Sequence, residues 1–184
     1  MLLVTYHVDR ADRLAGFNDE WTRFAIANDA AELVDGALNR PLWAFISDVT
    51  TAKVYHQLMQ RVRTGRTITF PFRCDAPSLR RWMQMRMSPL PDDAILFESA
   101  IVESLPASAG AIWDRRAARG GDLVTSCSWC KRIRVEDRWE EIEDAVELLA
   151  VFLRDPLPMI THGMCPDCHT RILSSLTPGE PELG

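Results

Sequence analysis

Arg80-Arg-Trp-Met-Gln-Met-Arg-Met87 alternates with a period of two, setting Arg81, Met83, Met85 and Met87 against Trp82, Gln84 and Arg86. Successive side chains of a strand point to opposite faces, so this stretch reads as a strand with one covered face. Two strand-like runs flank it, Thr67 to Arg73 before and Ala94 to Glu103 after. Pro77-Ser78 and Pro91-Asp92-Asp93 supply the turns between the three.

Upstream of these strands lies a helix. Asp48 or Thr50 can cap it, Val54, Leu58, Met59 and Val62 form its apolar stripe, and Gly65 ends it. The stretch from Ala30 to Ser47 reads as short helical turns, with Pro41 opening one that holds Leu42, Trp43, Phe45 and Ile46. At the start, Leu2-Leu-Val-Thr-Tyr-His-Val8 and Arg13-Leu-Ala-Gly-Phe17 read as two strands of a hairpin around Asp9-Arg-Ala-Asp12. Asn18 or Asp19 then caps a helix reaching about Asn28, with Trp21, Phe24 and Ala25 on its apolar face. Residues 1–105 therefore run as two strands, short helices, one longer helix and three strands, an α+β pattern.

Downstream, residues 106–121 are rich in Ala, Gly and Ser and read as a linker, with a short helix expected over Ala111 to Arg119. Residues 122–176 hold Cys127-Ser-Trp-Cys130 and Cys165-Pro-Asp-Cys168, two C-x-x-C pairs separated by 34 residues. Such pairs sit on tight turns whose amides point at sulfur, and two of them supply the four thiolates that structural zinc prefers. Cys127, Cys130, Cys165 and Cys168 are thus the candidate metal ligands. Trp139, Ile142, Val146, Leu149 and Leu153 share a helical face, so the gap is expected to hold a helix over that span. A module this small buries little surface, and a metal staple makes physical sense there. The rival reading is a redox dithiol, which needs a βαβ setting that the pattern does not suggest. His162 and His169 flank the second pair, but four cysteines already fill a shell. The Pro/Gly/Glu-rich tail, 177–184, reads as disordered.

The chain of 184 residues has an ordinary globular composition and a net charge of −5. The charge is uneven. Residues 1–120 carry 15 Lys+Arg against 14 Asp+Glu, whereas residues 121–184 carry 6 against 12. Nucleic-acid modules usually present a basic face, so this balance argues against nucleic acid as the partner. Apolar runs are too short to cross a bilayer, and the start lacks the basic region of a signal peptide. A cytoplasmic protein is expected, a compartment where paired cysteines favour metal or redox chemistry over disulfides.

Cys127-Ser-Trp-Cys-Lys-Arg-Ile-Arg134, Trp139-Glu-Glu-Ile-Glu143 and Thr161-His-Gly-Met-Cys-Pro-Asp-Cys168 together resemble a cysteine-rich tail of bacterial signalling proteins, where it follows PAS or receiver domains. Tyr6-His-Val-Asp9 with Arg13-Leu14 and Phe17-Asn18, Asn39-Arg-Pro-Leu-Trp43, and Phe70-Pro-Phe-Arg-Cys-Asp-Ala-Pro77 with Arg80-Arg81 resemble a PAS domain. That resemblance implies a five-stranded antiparallel sheet with helices on one face, a sensory role and, through apolar flanking helices, a homodimer. It also implies a place for a small-molecule ligand, which the sequence does not identify. Trp21, Phe24, Trp43, Phe45, Trp82, Met83 and Met85 can line such a pocket or simply fill the core. The flavin photosensor motif is missing around Cys74, and His56 reads as a helix histidine rather than a haem ligand. No phosphate loop, kinase signature or Ser/His/Asp arrangement stands out. The expected function is a non-enzymatic sensor or adaptor acting through protein contacts. A zinc-dependent transcriptional regulator and a thiol-redox protein are the alternatives.

Overall fold

The structure is a computed structural model, and it describes residues 3–174. The expected tail over 177–184 lies outside the described residues, as do the last two positions of the expected module.

Strands β1 (Leu3–Val8) and β2 (Leu14–Phe17) form the opening hairpin, with Tyr6 opposite Phe17. The Asp9 carboxylate closes the turn by accepting from the amides of Ala11 at 2.8 Å and Arg13 at 2.9 Å. Asn18 then caps helix α1 (Asp19–Ala27), its Oδ1 accepting from the Trp21 amide at 2.9 Å. The same side chain also reaches β1. Its Nδ2 donates to the Leu3 carbonyl at 2.8 Å, and its Oδ1 accepts from the Thr5 amide at 3.1 Å. One asparagine thus fixes where the helix leaves the sheet.

After α2 (Glu32–Gly36), residues 39–42 run along the outer edge of β2. The Asn39 amide donates to the Leu14 carbonyl at 2.8 Å, and the Leu14 amide donates to the Arg40 carbonyl at 2.9 Å. A 3-10 turn, Leu42–Phe45, leads into α3 (Val49–Arg63). Asp48 caps α3 by accepting from the Thr51 amide at 2.6 Å, and Gly65, at φ +92°, ends the segment where a side chain would be strained. Val54, Leu58, Met59 and Val62 make the buried stripe, as the spacing predicts, and Thr51 is buried with them.

Strands β3 (Ile68–Arg73), β4 (Leu79–Pro89) and β5 (Ile95–Pro106) complete a five-stranded antiparallel sheet in the order β2-β1-β5-β4-β3. The alternation in β4 holds: Arg81, Met83, Met85 and Met87 are buried. On the covered face, Leu58 and Val62 of α3 pack with Met85, Met87 and Phe97. On the open face, Arg86 of β4 and Glu98 of β5 lie directly opposite each other and pair at 3.8 Å. Pro71 sits in the edge strand β3, in register with Gln84.

The second part departs from the sequence expectation. It is a four-stranded sheet, β8-β7-β6-β9, built from β6 (Arg119–Cys127), β7 (Ile133–Val135), β8 (Arg138–Glu140) and β9 (Leu157–Gly163). The expected helix from Trp139 to Leu153 shrinks to α4 (Ile142–Leu148). Trp139 lies in β8 opposite Arg134, and Ala150, at φ 48°, breaks the helix before a 3-10 turn at Val151–Leu153. Leu153 is 89% exposed, so it only coincides with the helical period. The helix expected over Ala111 to Arg119 is a 3-10 turn at Gly110–Trp113, and Arg119 already belongs to β6. Gly110 fits because a Cβ there would collide with the Pro77 carbonyl oxygen. Ile112 joins Val124, Ile133, Ile142 and Val151 in a second core. Helix α5 (Pro166–Ser174) follows β9. Among the described residues, no helix is long and apolar enough to cross a membrane.

Tyr6 stacks on Phe97 with ring centroids 4.6 Å apart, and Tyr55 of α3 meets Phe70 edge-on. Burial pushes both phenols up, Tyr6 well above 10 and Tyr55 to about 12. A group whose folded pKa is raised contributes stability that is whole below its unfolded pKa and lost as pH climbs through the folded one. Stability should therefore fall between about pH 10 and 12, and Tyr55→Phe should flatten that limb. Thermal melts of both proteins across this range check it; an unchanged alkaline limb in the variant refutes it.

Candidate metal centre

The cysteines come from two neighbouring strand ends. β6 and β9 run parallel, with Cys127 opposite Gly163. Parallel pairing places both C-terminal ends at one edge, so Cys127 and Cys165 leave the sheet side by side. The Ser128 amide donates to the Gly163 carbonyl at 2.8 Å and continues the pairing past the first cysteine. The first C-x-x-C then turns back on itself. The Lys131 amide donates to the Cys127 carbonyl at 3.1 Å, the Cys127 amide donates to the Arg132 carbonyl at 2.7 Å, and Lys131 takes a left-handed φ of 65°. The second pair opens α5, where Cys165 precedes Pro166 and Cys168 lies in the first turn.

The four Sγ atoms all lie within 4.8 Å of one another, an arrangement that can hold a metal ion. Cys127, Cys165 and Cys168 are buried and Cys130 is half-buried. Cys130 and Cys165 bring their sulfurs to 3.7 Å. Amides are aimed at sulfur as well: the Cys165 amide at Cys127 Sγ and the Cys168 amide at Cys165 Sγ, both at 3.4 Å. A guanidinium nitrogen of Arg171 donates to Cys168 Sγ at 3.3 Å. Among the described residues neither His162 nor His169 joins the cluster.

Four thiols so close cannot all ionise unaided. Hydrogen bonds from the Cys130 and Cys168 thiols push Cys127 far down, while donating to Cys127 pushes Cys130 up to about 12 and Cys168 higher still. Without a cation, Cys127 is thus favoured as a thiolate that the Cys130 and Cys168 thiols solvate. A dication at the centre would favour the thiolate at every position and drive the protons out.

Between the first two cysteines, Trp129 is 3% exposed. Its ring lies 5.4 Å from Tyr55 and 5.1 Å from Phe70. With Cys127, Cys165, Cys168 and Ile172 it belongs to the same core as Leu58 and Met59 of α3. The first cysteine turn is therefore packed into the first sheet's core. A charged strap lies beside it. The Arg73 amide donates to the Trp129 carbonyl at 2.7 Å, and its guanidinium pairs with Asp75 and, at 3.1 Å, with Glu141. Arg80 pairs with Glu143, and Arg81 donates to the Cys74 carbonyl at 2.6 Å and to Asn28 Oδ1 at 2.5 Å.

Arg73 and Asp75 pair from within one turn of the chain. Glu141 and Glu143 lie 68 and 63 residues from their arginine partners and carry no local signal. The role of Trp129 was missed too, although an aromatic between two ligand cysteines is a usable hint. His56 is exposed on α3 and stacks on Trp43 with centroids 3.7 Å apart. Cys74 follows β3, away from the cluster. The chain matches no protein-family model and no curated protein.

Asp75 is 3% exposed and Arg73 is 7% exposed. Removing one partner of a buried pair strands the other charge, at a cost of about 3 kcal/mol. Arg73→Met should lower stability by roughly that much, whereas Arg73→Met with Asp75→Asn should recover most of it. Urea unfolding of the single and double variants tests this; equal losses would show that no stranded charge is involved.

Proposed function

We propose that this chain is a non-enzymatic sensory or adaptor protein of the bacterial cytoplasm, in which a PAS-like domain over 1–105 is coupled to a zinc-stapled module over 122–176. The observation that carries the reading is the packing of four mutually close cysteine sulfurs against the core of the first sheet. A tetrahedron with metal–sulfur bonds of about 2.3 Å has edges of roughly 3.8 Å, and the 3.7 Å between Cys130 and Cys165 fits it. Zinc is the ion that four thiolates suit best, with iron the electron-transfer alternative. A shell of four protein ligands leaves no position for water, so the metal holds structure and activates no nucleophile. The five-stranded antiparallel sheet with helices on one face agrees with the PAS resemblance. Output through a protein partner or a second copy of the chain follows from that resemblance.

Elemental analysis of protein purified without a His-tag or added metal tests the metal, with the visible spectrum read on the same sample. One zinc per chain and no visible absorbance is the expected result. Cys130→Ser should lose the metal. Because Trp129 is buried with α3, it should also lower the main unfolding transition rather than melt the module alone. Full metal content in Cys130→Ser would sink the four-cysteine site. A metal-free preparation with titratable dithiols would put redox chemistry in its place, and a Soret band would make His56 a haem ligand.

A further inference from the structure

A cleft of ≈ 380 Å³ opens where the cysteine turn meets the first sheet. That volume lies within the range of small-molecule sites. Its apolar wall comes from Tyr6, Leu42, Phe45 and Phe72 of the first sheet and its helical turn, and its other wall from Ser128, Trp129, Lys131 and His162. Two lining residues carry a buried polar atom with no hydrogen-bond partner: the Thr51 hydroxyl and the Trp129 indole nitrogen. Thr51 is 5% exposed and Trp129 is 3% exposed. Buried polar groups are almost always paired, so two orphans on one cleft point to a missing partner. The indole N–H can only donate, and a hydroxyl can donate as well. The missing partner must therefore present acceptors.

Charge narrows the choice. Among the described residues, the Lys131 ammonium makes no ion pair or hydrogen bond. Burial, followed by the nearby Lys131 charge, lowers the pKa of His162 against the opposing pull of Asp48, and Lys131 supplies the ammonium of the cleft. Asp48 also lines it and keeps its charge, but its Oδ2 accepts from the Thr51 amide at 2.6 Å at the start of α3, where the positive end of the helix offsets part of that charge. An apolar wall, unpaired donors and one free cation match an acceptor-only anion carried on an apolar body.

We propose that this cleft binds a small organic monocarboxylate, its carboxylate held by Lys131 and the Trp129 indole N–H and its body against Tyr6, Leu42 and Phe45. The inference rests on the sensory reading above and supplies its ligand class. Ser128 and Trp129 lie inside the Cys127–Cys130 turn and Lys131 follows it. The metal thus sets the position of the groups that would grip the carboxylate, and a filled cleft in turn holds the turn in place.

The test is a nitrogen-15 NMR titration of the full zinc-loaded chain, with the Trp129 indole signal assigned by its loss in Trp129→Phe. The probes are phenylacetate and hexanoate, with 2-phenylethanol as the uncharged match. Both carboxylates should move the indole signal with a Kd of roughly 1 mM or tighter. Lys131→Gln, with zinc content unchanged, should weaken them about tenfold, as should replacing the carboxylate by the alcohol. An unmoved signal in zinc-loaded protein, equal affinity for 2-phenylethanol, or full binding by Lys131→Gln would each overturn the carboxylate site and leave the metal reading standing. A preparation without zinc would count against the proposed function and against this inference with it.

Discussion

Parallel pairing between β6 and β9 is the constraint on which the second half of the molecule depends. Each strand ends in one half of the cysteine cluster, and only side-by-side strands of the same polarity deliver both halves to one place. A parallel pair needs a long crossover, and here β7, β8 and α4 provide it. Register is just as strict. Sliding β9 by one residue would turn each side chain to the other face and part Cys165 from Cys127. The contact of the Ser128 amide with the Gly163 carbonyl holds that register at its most sensitive point.

The two sheets are joined by two kinds of contact. Trp129 places an apolar plug between Tyr55 and Phe70, while Arg73, Asp75 and Glu141 place a charged strap around it. Burying a guanidinium costs several kcal/mol unless it is well paired. Arg73 meets that need with two carboxylates from different parts of the chain. The acidic surplus of residues 121–184 is therefore partly internal, since Glu141 and Glu143 answer arginines of the first sheet.

How far the sequence could be read follows from how local each signal is. Strand alternation in β4, the stripe of α3 and the caps at Asn18 and Asp48 are set by neighbours a few residues away, and all are found where the pattern puts them. The cysteine cluster was legible because thiol spacing is itself the chemistry. The four-stranded mixed sheet was not. β7 and β8 are three residues each, too short for a period to show, and β6 begins inside a stretch whose Ala and Gly content reads as a linker. In the second half, apolar residues at helical spacing from Trp139 to Leu153 suggested one helix. A β strand, a left-handed Ala150 and a 3-10 turn divide that span because tertiary packing overrides a weak local period.

The borders of the five-stranded sheet carry a further consequence. On one side the backbone of residues 39–42 already occupies β2. On the other side Pro71 offers no N–H, and the Arg73 amide is taken by the Trp129 carbonyl. Unsatisfied edges are what let sheets recruit strands from other chains. These contacts leave the five-stranded sheet fewer free backbone groups at its borders, so another chain would meet it mainly on its faces, where side chains decide the fit. The cysteine turn, through the Trp129 carbonyl, thus helps to shield the end of β3 from a strand of another chain.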